Sequence, residues 1–183
     1  MTNLTVALIV GSLRAGSFNR KLANGLILLA PSELMFSFVE VGDLPPYNQD
    51  DDDHPHADVV AFKDKITAAH AVMFVTPEYN RSIPGVLKNA LDHASRPYGK
   101  SVWAKKPAGV IGVSIGATGT SMAQQHLRNI LAYLDMPTLN QPEAFIKVAD
   151  EMFAEDGSIV GPSRPFLQSW MDAFAAFAKT HAA

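Results

Sequence analysis

Leu4-Thr5-Val6-Ala7-Leu8-Ile9-Val10-Gly11-Ser12-Leu13-Arg14-Ala15-Gly16-Ser17 is the stretch whose reading decides the fold. Its first half is an apolar run with two valines and an isoleucine, which reads as a buried parallel strand ending at a turn-forming glycine. From Ser17 the apolar positions Phe18, Leu22, Leu26 and Leu29 recur at helical spacing, with Ser17 placed to cap the first turn and Pro31 to stop the last. Strand, glycine loop and helix form one unit, and the rest of the chain repeats it.

Leu34 to Val41 alternates loosely, as expected of a strand near a sheet edge, and Gly42 to Pro55 is turn-rich. His56 to His70 predicts a helix leading into a second strong strand, Ala71 to Thr76. Pro84 opens a helix whose apolar face is Val86, Leu87, Ala90, Leu91 and Ala94, ended by Pro97 and Gly99. Ala108 to Val113 is a third buried strand. Met122, Leu127, Ile130, Leu131 and Leu134 mark a fourth helix. Thr138 to Asn140 and Ala144 to Val148 supply a last strand interrupted near Pro142, and Phe166, Trp170, Phe174 and Phe177 give a closing helix its stripe. Strands alternating with helices imply a parallel sheet covered on both faces by right-handed crossovers. The fold class is α/β, a three-layer sandwich whose five parallel strands suit the order 2-1-3-4-5, with residues 1–183 read as one domain.

Composition narrows the function. The 183 residues are 48% hydrophobic and 18% charged, the balance of an ordinary folded domain. The absence of cysteine excludes a disulfide framework, a thiolate metal site and cysteine nucleophiles. A net charge of −3 argues against nucleic acid as a partner, since phosphate backbones are bound through clustered Lys and Arg. No apolar run reaches the roughly 20 residues of a membrane span. No basic leader precedes the first strand, so a cytoplasmic location is expected. The acidic run Asp50 to Asp53, followed by His54 and His56, reads as a solvated loop rather than a metal site.

In open parallel sheets, ligands lie beyond the carboxyl ends of the strands, where the connections change direction. Three polar loops should meet there: Gly11 to Ser17, Thr76 to Ser82 and Ser114 to Thr120. The first has the makings of a phosphate cradle, with close-turning glycines, the polar groups of Ser12, Ser17 and Asn19, the cation of Arg14, and a helix N-terminus behind it. Ser17 stands where a Walker A loop needs lysine, which disfavours a nucleoside triphosphate, and the G-x-G-x-x-G fingerprint is absent. The same residues would also make a plain capped turn. In the second loop, Pro77, Glu78, Tyr79, Asn80 and Ser82 precede Pro84, so a stiffened segment could meet the edge of a planar heterocycle while Tyr79 packs against it or covers the core. In the third, Ser114, Gly116 and Thr118 would let a ring approach, although an ordinary connection looks the same. His70, His93 and His126 lie in predicted helices without a G-x-S-x-G elbow, which favours packed or surface histidines over general bases.

Gly11-Ser12-Leu13-Arg14 with Ser17 and Asn19, together with Thr76-Pro77-Glu78-Tyr79-Asn80 and Ser82, Pro84, Gly85, Leu87, Lys88, Asn89 and Asp92, resembles the NADPH-dependent FMN reductase family, which includes chromate, quinone and azo-compound reductases. The resemblance implies a flavodoxin-like fold. It implies that Ser12, Arg14, Ser17, Phe18 and Asn19 bind the FMN phosphate, that Pro77 to Asn80 and Ser82 meet the reactive edge of the isoalloxazine, and that Ser114, Gly116 and Thr118 meet its pyrimidine side. Relatives often carry adjacent glycines in the third loop, whereas Ala117 and Thr118 separate Gly116 from Gly119 here. The implied activity is ping-pong hydride transfer through FMN N5, from NADPH or NADH to a quinone, azo or nitro compound, metal oxyanion or free flavin, without a catalytic side chain. Arg81 on the loop rim is a candidate for favouring NADPH. The resemblance further implies a homodimer or homotetramer, with Arg128 and Glu143 as candidate interface residues. The rivals are a flavodoxin-type electron carrier and a nucleotide- or phosphosugar-binding module without redox chemistry.

Overall fold

The computed structural model describes residues 3–182. Five parallel strands, β1 (Leu4–Val10), β2 (Leu34–Phe38), β3 (Ala71–Val75), β4 (Ala108–Ser114) and β5 (Phe145–Lys147), form one sheet in the order β2-β1-β3-β4-β5. This is the flavodoxin-like order read from the sequence. The helices are α1 (Phe18–Leu29), α2 (Ala57–Ala68), α3 (Gly85–Ala94), α4 (Ser121–Tyr133) and α5 (Arg164–His181), with a short 3-10 turn at Gln49–Asp51.

The sheet separates two cores. On one face, Leu22, Leu26, Trp170, Met171 and Phe174 from α1 and α5 pack on Val6, Leu8, Met73 and Ile111. On the other, Phe62, Ile66, Leu87, Leu91, Leu127 and Leu131 from α2, α3 and α4 cover Ala7, Ile9, Val72, Phe74 and Val110. Alternate residues of β1 therefore serve opposite cores, which is why its sequence is apolar throughout rather than alternating. Gly109 in β4 admits α5 closely: a Cβ there would lie 2.6 Å from the Phe174 ring. That ring stacks on Trp170 with the planes 2° apart.

Several element boundaries differ from the sequence reading by one to three residues. β2 ends at Phe38 rather than Val41; Val39 adds one further bond to Leu8 O, and Val41 turns into the α2/α3 core. His56 and His70 lie outside α2, His56 as its N-cap and His70 bonded to the start of β1 through Thr5. Pro84 is the N-cap of α3 rather than its first helical residue. The interrupted last strand is found as two pieces. Residues around Thr138 pair with the start of β4 at Ala108, and β5 pairs with its end at Gly112 to Ser114. β1 pairs with β2 on one side and β3 on the other, so the connections reverse direction between β1 and β3.

Candidate functional site

The three loops meet at the carboxyl ends of β1, β3 and β4. Parallel pairing continues one residue beyond the strands, from Gly11 N to Val75 O (3.0 Å) and from Thr76 N to Ile111 O (3.0 Å), so the first loop adjoins the second and the second adjoins the third. Gly112 allows the tightest approach: a Cβ there would lie 2.2 Å from Thr76 O and 2.3 Å from Thr120 Oγ1. A fourth segment closes the edge. Asn89 of α3 accepts from Tyr47 N and donates to Pro45 O, and the buried His93 bonds the same Pro45 carbonyl through Nε2. Burial and the Asp52 carboxylate push the Tyr47 phenol above its ordinary value, with Arg96 opposing.

In the first loop, Leu13, Arg14, Ala15 and Gly16 are exposed, whereas Ser12 and Ser17 are nearly buried at its two ends. Ser17 caps α1 by accepting from Arg20 N at 3.2 Å, which leaves its hydroxyl proton free to donate. The N–H groups of Phe18 and Asn19 at the start of α1 have no backbone partner among the described residues, as the first turn of a helix dictates. Arg14 curls over the loop, donating to Gly16 O at 2.6 Å with its guanidinium 5.3 Å from the Phe18 ring centre. A helix terminus with free amides, flanking hydroxyls and a guanidinium fits a phosphate monoester. The side chain of Asn19 is engaged within the protein. It is buried and locks α1 to β4, donating to Val113 O and accepting from Val113 N, each at 3.0 Å.

The second loop contains a turn that the sequence did not disclose. Tyr79 and Ser82 exchange backbone bonds of 2.9 and 3.0 Å, while Asn80 and Arg81 sit at φ +52° and +64°. This is a type I′ turn, whose second position normally holds glycine; Arg81 there is strained by about 1 kcal/mol. Tyr79, Asn80 and Arg81 are exposed and Pro77 is buried. The Glu78 carboxylate is committed to α4, accepting from Met122 N and Ala123 N at 3.0 and 3.1 Å. It does so because Thr120, the N-cap at φ +113°, makes no side-chain cap and receives Gln124 Nε2 instead. Ser82 Oγ lies 2.7 Å from His126 Nδ1, one turn further along α4.

The third loop is the most open: residues 115–118 are exposed, and Ser114 Oγ bonds Gly116 O across it. All thirteen residues inferred from the sequence thus lie at one end of the sheet, in the three loops or the element ends that flank them, but Asn19 and Glu78 have their side chains engaged within the protein. His126, read from the sequence as a packed or surface histidine, is exposed and bonded to the second loop. Its spacing from Ser82 is legible only once α4 is laid beside the loop. Arg128 and Glu143 lie within reach of each other inside the chain, Nε to Oε1 at 4.0 Å, and Arg128 also donates to Leu139 O. Burial pulls the Arg128 guanidinium below its ordinary value, and Glu143 opposes the shift. No group of three or more metal-binding side chains occurs among the described residues, the acidic run included. No helix among them is long and apolar enough to cross a membrane.

The family model for NADPH-dependent FMN reductase matches residues 4–151. A 2-hydroxy-1,4-benzoquinone reductase from a Burkholderia species is 52% identical over 178 residues, 96% of this chain and 97% of that protein. A quinone reductase from Pseudomonas putida is 48% identical over 180 residues, 98% and 97% of the two chains. Among solved structures, FerB, a flavoenzyme NAD(P)H:(acceptor) oxidoreductase from Paracoccus denitrificans, superposes with a TM-score of 0.95 at 44% identity, covering 98% of this chain and 100% of its own. A flavodoxin variant from Pseudomonas aeruginosa shares the fold alone, at 20% identity and a TM-score of 0.58 over 94% of this chain and 99% of its own. The chain belongs to the NADPH-dependent FMN reductase family.

Proposed function

We propose that this protein is an NAD(P)H-dependent FMN oxidoreductase that reduces quinones. The observation that carries the reading is the convergence, at the β1/β3 switch point, of a phosphate-type helix terminus and an exposed aromatic turn. The two quinone reductases that match nearly the whole chain support the acceptor class. When bound, FMN supplies two-electron hydride chemistry.

The protein binds and orients. Ser12, Arg14, Ser17 and the free amides of Phe18 and Asn19 hold the phosphate. Pro77 to Asn80 and Ser82 present backbone and the Tyr79 ring to the reactive edge, while Ser114, Gly116 and Thr118 border the pyrimidine side. No side chain is required as nucleophile. Arg81, exposed beside Asn80, is the residue assigned to the extra phosphate of NADPH. The same reading makes the protein a homodimer or homotetramer, consistent with the exposed Tyr98 and Tyr133 bordering one surface groove. Cytoplasmic residence, where a nicotinamide donor is at hand, belongs to it as well.

The test is direct. Purified protein should be yellow or take up FMN, bleach anaerobically with NADPH or NADH, and recolour on mixing with a benzoquinone. Colourless protein without flavin affinity, or no bleaching by either nicotinamide, would overturn the reading. Bleaching followed by reoxidation only with a one-electron protein partner would favour the electron-carrier alternative. Sedimentation as a monomer would remove the oligomer, and an unchanged NADPH/NADH preference in Arg81→Ala would remove that residue's role.

A further inference from the structure

The turn from Tyr79 to Ser82 projects from the sheet with both central residues in the left-handed region, and within its own segment only two backbone bonds hold it. Arg81, in the place that favours glycine, pushes such a turn to relax. Two side-chain attachments to α4 oppose that. On the entering strand, Glu78 is bonded to the amides of Met122 and Ala123. On the leaving strand, Ser82 Oγ meets His126 Nδ1 at 2.7 Å. Glu78 takes the free amides at the head of α4 and Ser82 meets a side chain one turn further along, so the first two turns of one helix grip both sides of the turn. His126 is exposed and packs in neither core, so its closest bonded engagement is with this loop.

We propose that His126 is a positioning residue for the flavin: acting through Ser82, it closes the clamp that holds the 79–82 turn in its strained form against the isoalloxazine edge. This rests on the FMN reading above. The phosphate end is held by a different loop and helix, so the clamp should affect the ring end alone. Neither ring nitrogen of His126 transfers a proton in this role. It is a geometric restraint, and any side chain that places a hydrogen-bonding group where Nδ1 stands can replace it. Asparagine does so; glutamine carries its amide about one bond further out, near the Nε2 position.

Full-length holoprotein tests it by two readouts. On dilution, flavin release should give a Kd raised about three- to tenfold in His126→Ala and in Ser82→Ala, the factor expected for one exposed hydrogen bond. Riboflavin should show the same factor as FMN, because the loss is at the ring. The double variant should be no worse than the weaker-binding single, His126→Asn should lie within about twofold of wild type, and His126→Gln should match His126→Ala. In flavin-free protein, amide exchange at Tyr79 and Ser82 should quicken in His126→Ala and not in His126→Asn. A Kd unchanged in His126→Ala, single effects that add, or asparagine behaving as alanine would each overturn the proposal. Faster exchange with unchanged flavin affinity would leave a clamp that does not serve the flavin, and overturns it too. Wild-type protein with no flavin affinity removes the FMN reading itself, an outcome distinct from all of these.

Discussion

Asn19 sits in the residue motif of the phosphate loop, yet its buried amide satisfies both backbone groups of Val113. Asn19→Leu strands a buried N–H and a buried C=O together, and the expected loss is about 2–4 kcal/mol of folding free energy, read from urea denaturation. Arg14 is the opposite case. It is exposed and bonded only to its own loop, so Arg14→Ala should leave stability within about 0.5 kcal/mol of wild type. FMN affinity should fall about tenfold, the equivalent of one charge-assisted hydrogen bond, with riboflavin affinity unchanged. Equal losses for the two flavins would place Arg14 away from the phosphate. Two polar residues of one motif thus separate into one held inside the protein and one left exposed to a ligand. Sequence cannot tell them apart, since both are polar residues beside a glycine turn and only burial distinguishes them.

Among the elements, α4 and the end of β4 join the second loop to the third. Gly112→Ala would drive a Cβ into Thr76 O and Thr120 Oγ1, and neither yields, because Thr76 N is tied to Ile111 O and Thr120 is the buried start of α4. The expected loss is about 3 kcal/mol, measured by thermal unfolding. Glu78→Ala removes the acceptor for two amides at the head of α4 and should cost about 1 kcal/mol, as for a lost helix cap. The strands and helices themselves were legible, with ends misplaced by a few residues, because a buried parallel strand and a one-faced helix each leave a period in the sequence. The type I′ turn was not, since Asn80-Arg81 lacks the glycine by which such turns are recognised.

Across the whole molecule, the Glu33 carboxylate just before β2 is paired with Lys179 near the end of α5, linking residues 146 apart. That hydrogen bond holds Glu33 below its ordinary value of 4.5. A depressed carboxylate stabilises the fold fully above the unfolded value, and the contribution is lost as pH falls through the folded one. The stability difference between wild type and Lys179→Met should therefore be present at pH 6 and shrink as the pH drops below about 4.5. A difference constant down to pH 3 would mean that the pair contributes nothing. Both partners reach solvent, so the effect should also weaken with added salt.

The sequence by itself determined the layered α/β fold and the three polar loops that follow its strands, and it suggested the strand order that the sheet shows. Those follow from periodicity, from glycine and proline at fixed places, and from the handedness of crossovers, all of which act over a few residues or by general rule. Only the tertiary structure decided which polar side chains remain free for a ligand. Asn19 meets Val113 across 94 residues, Glu78 reaches Met122 across 44, and Ser82 finds His126 across 44. A hydrogen bond between residues so far apart depends on how elements pack, and it leaves no local pattern in the chain.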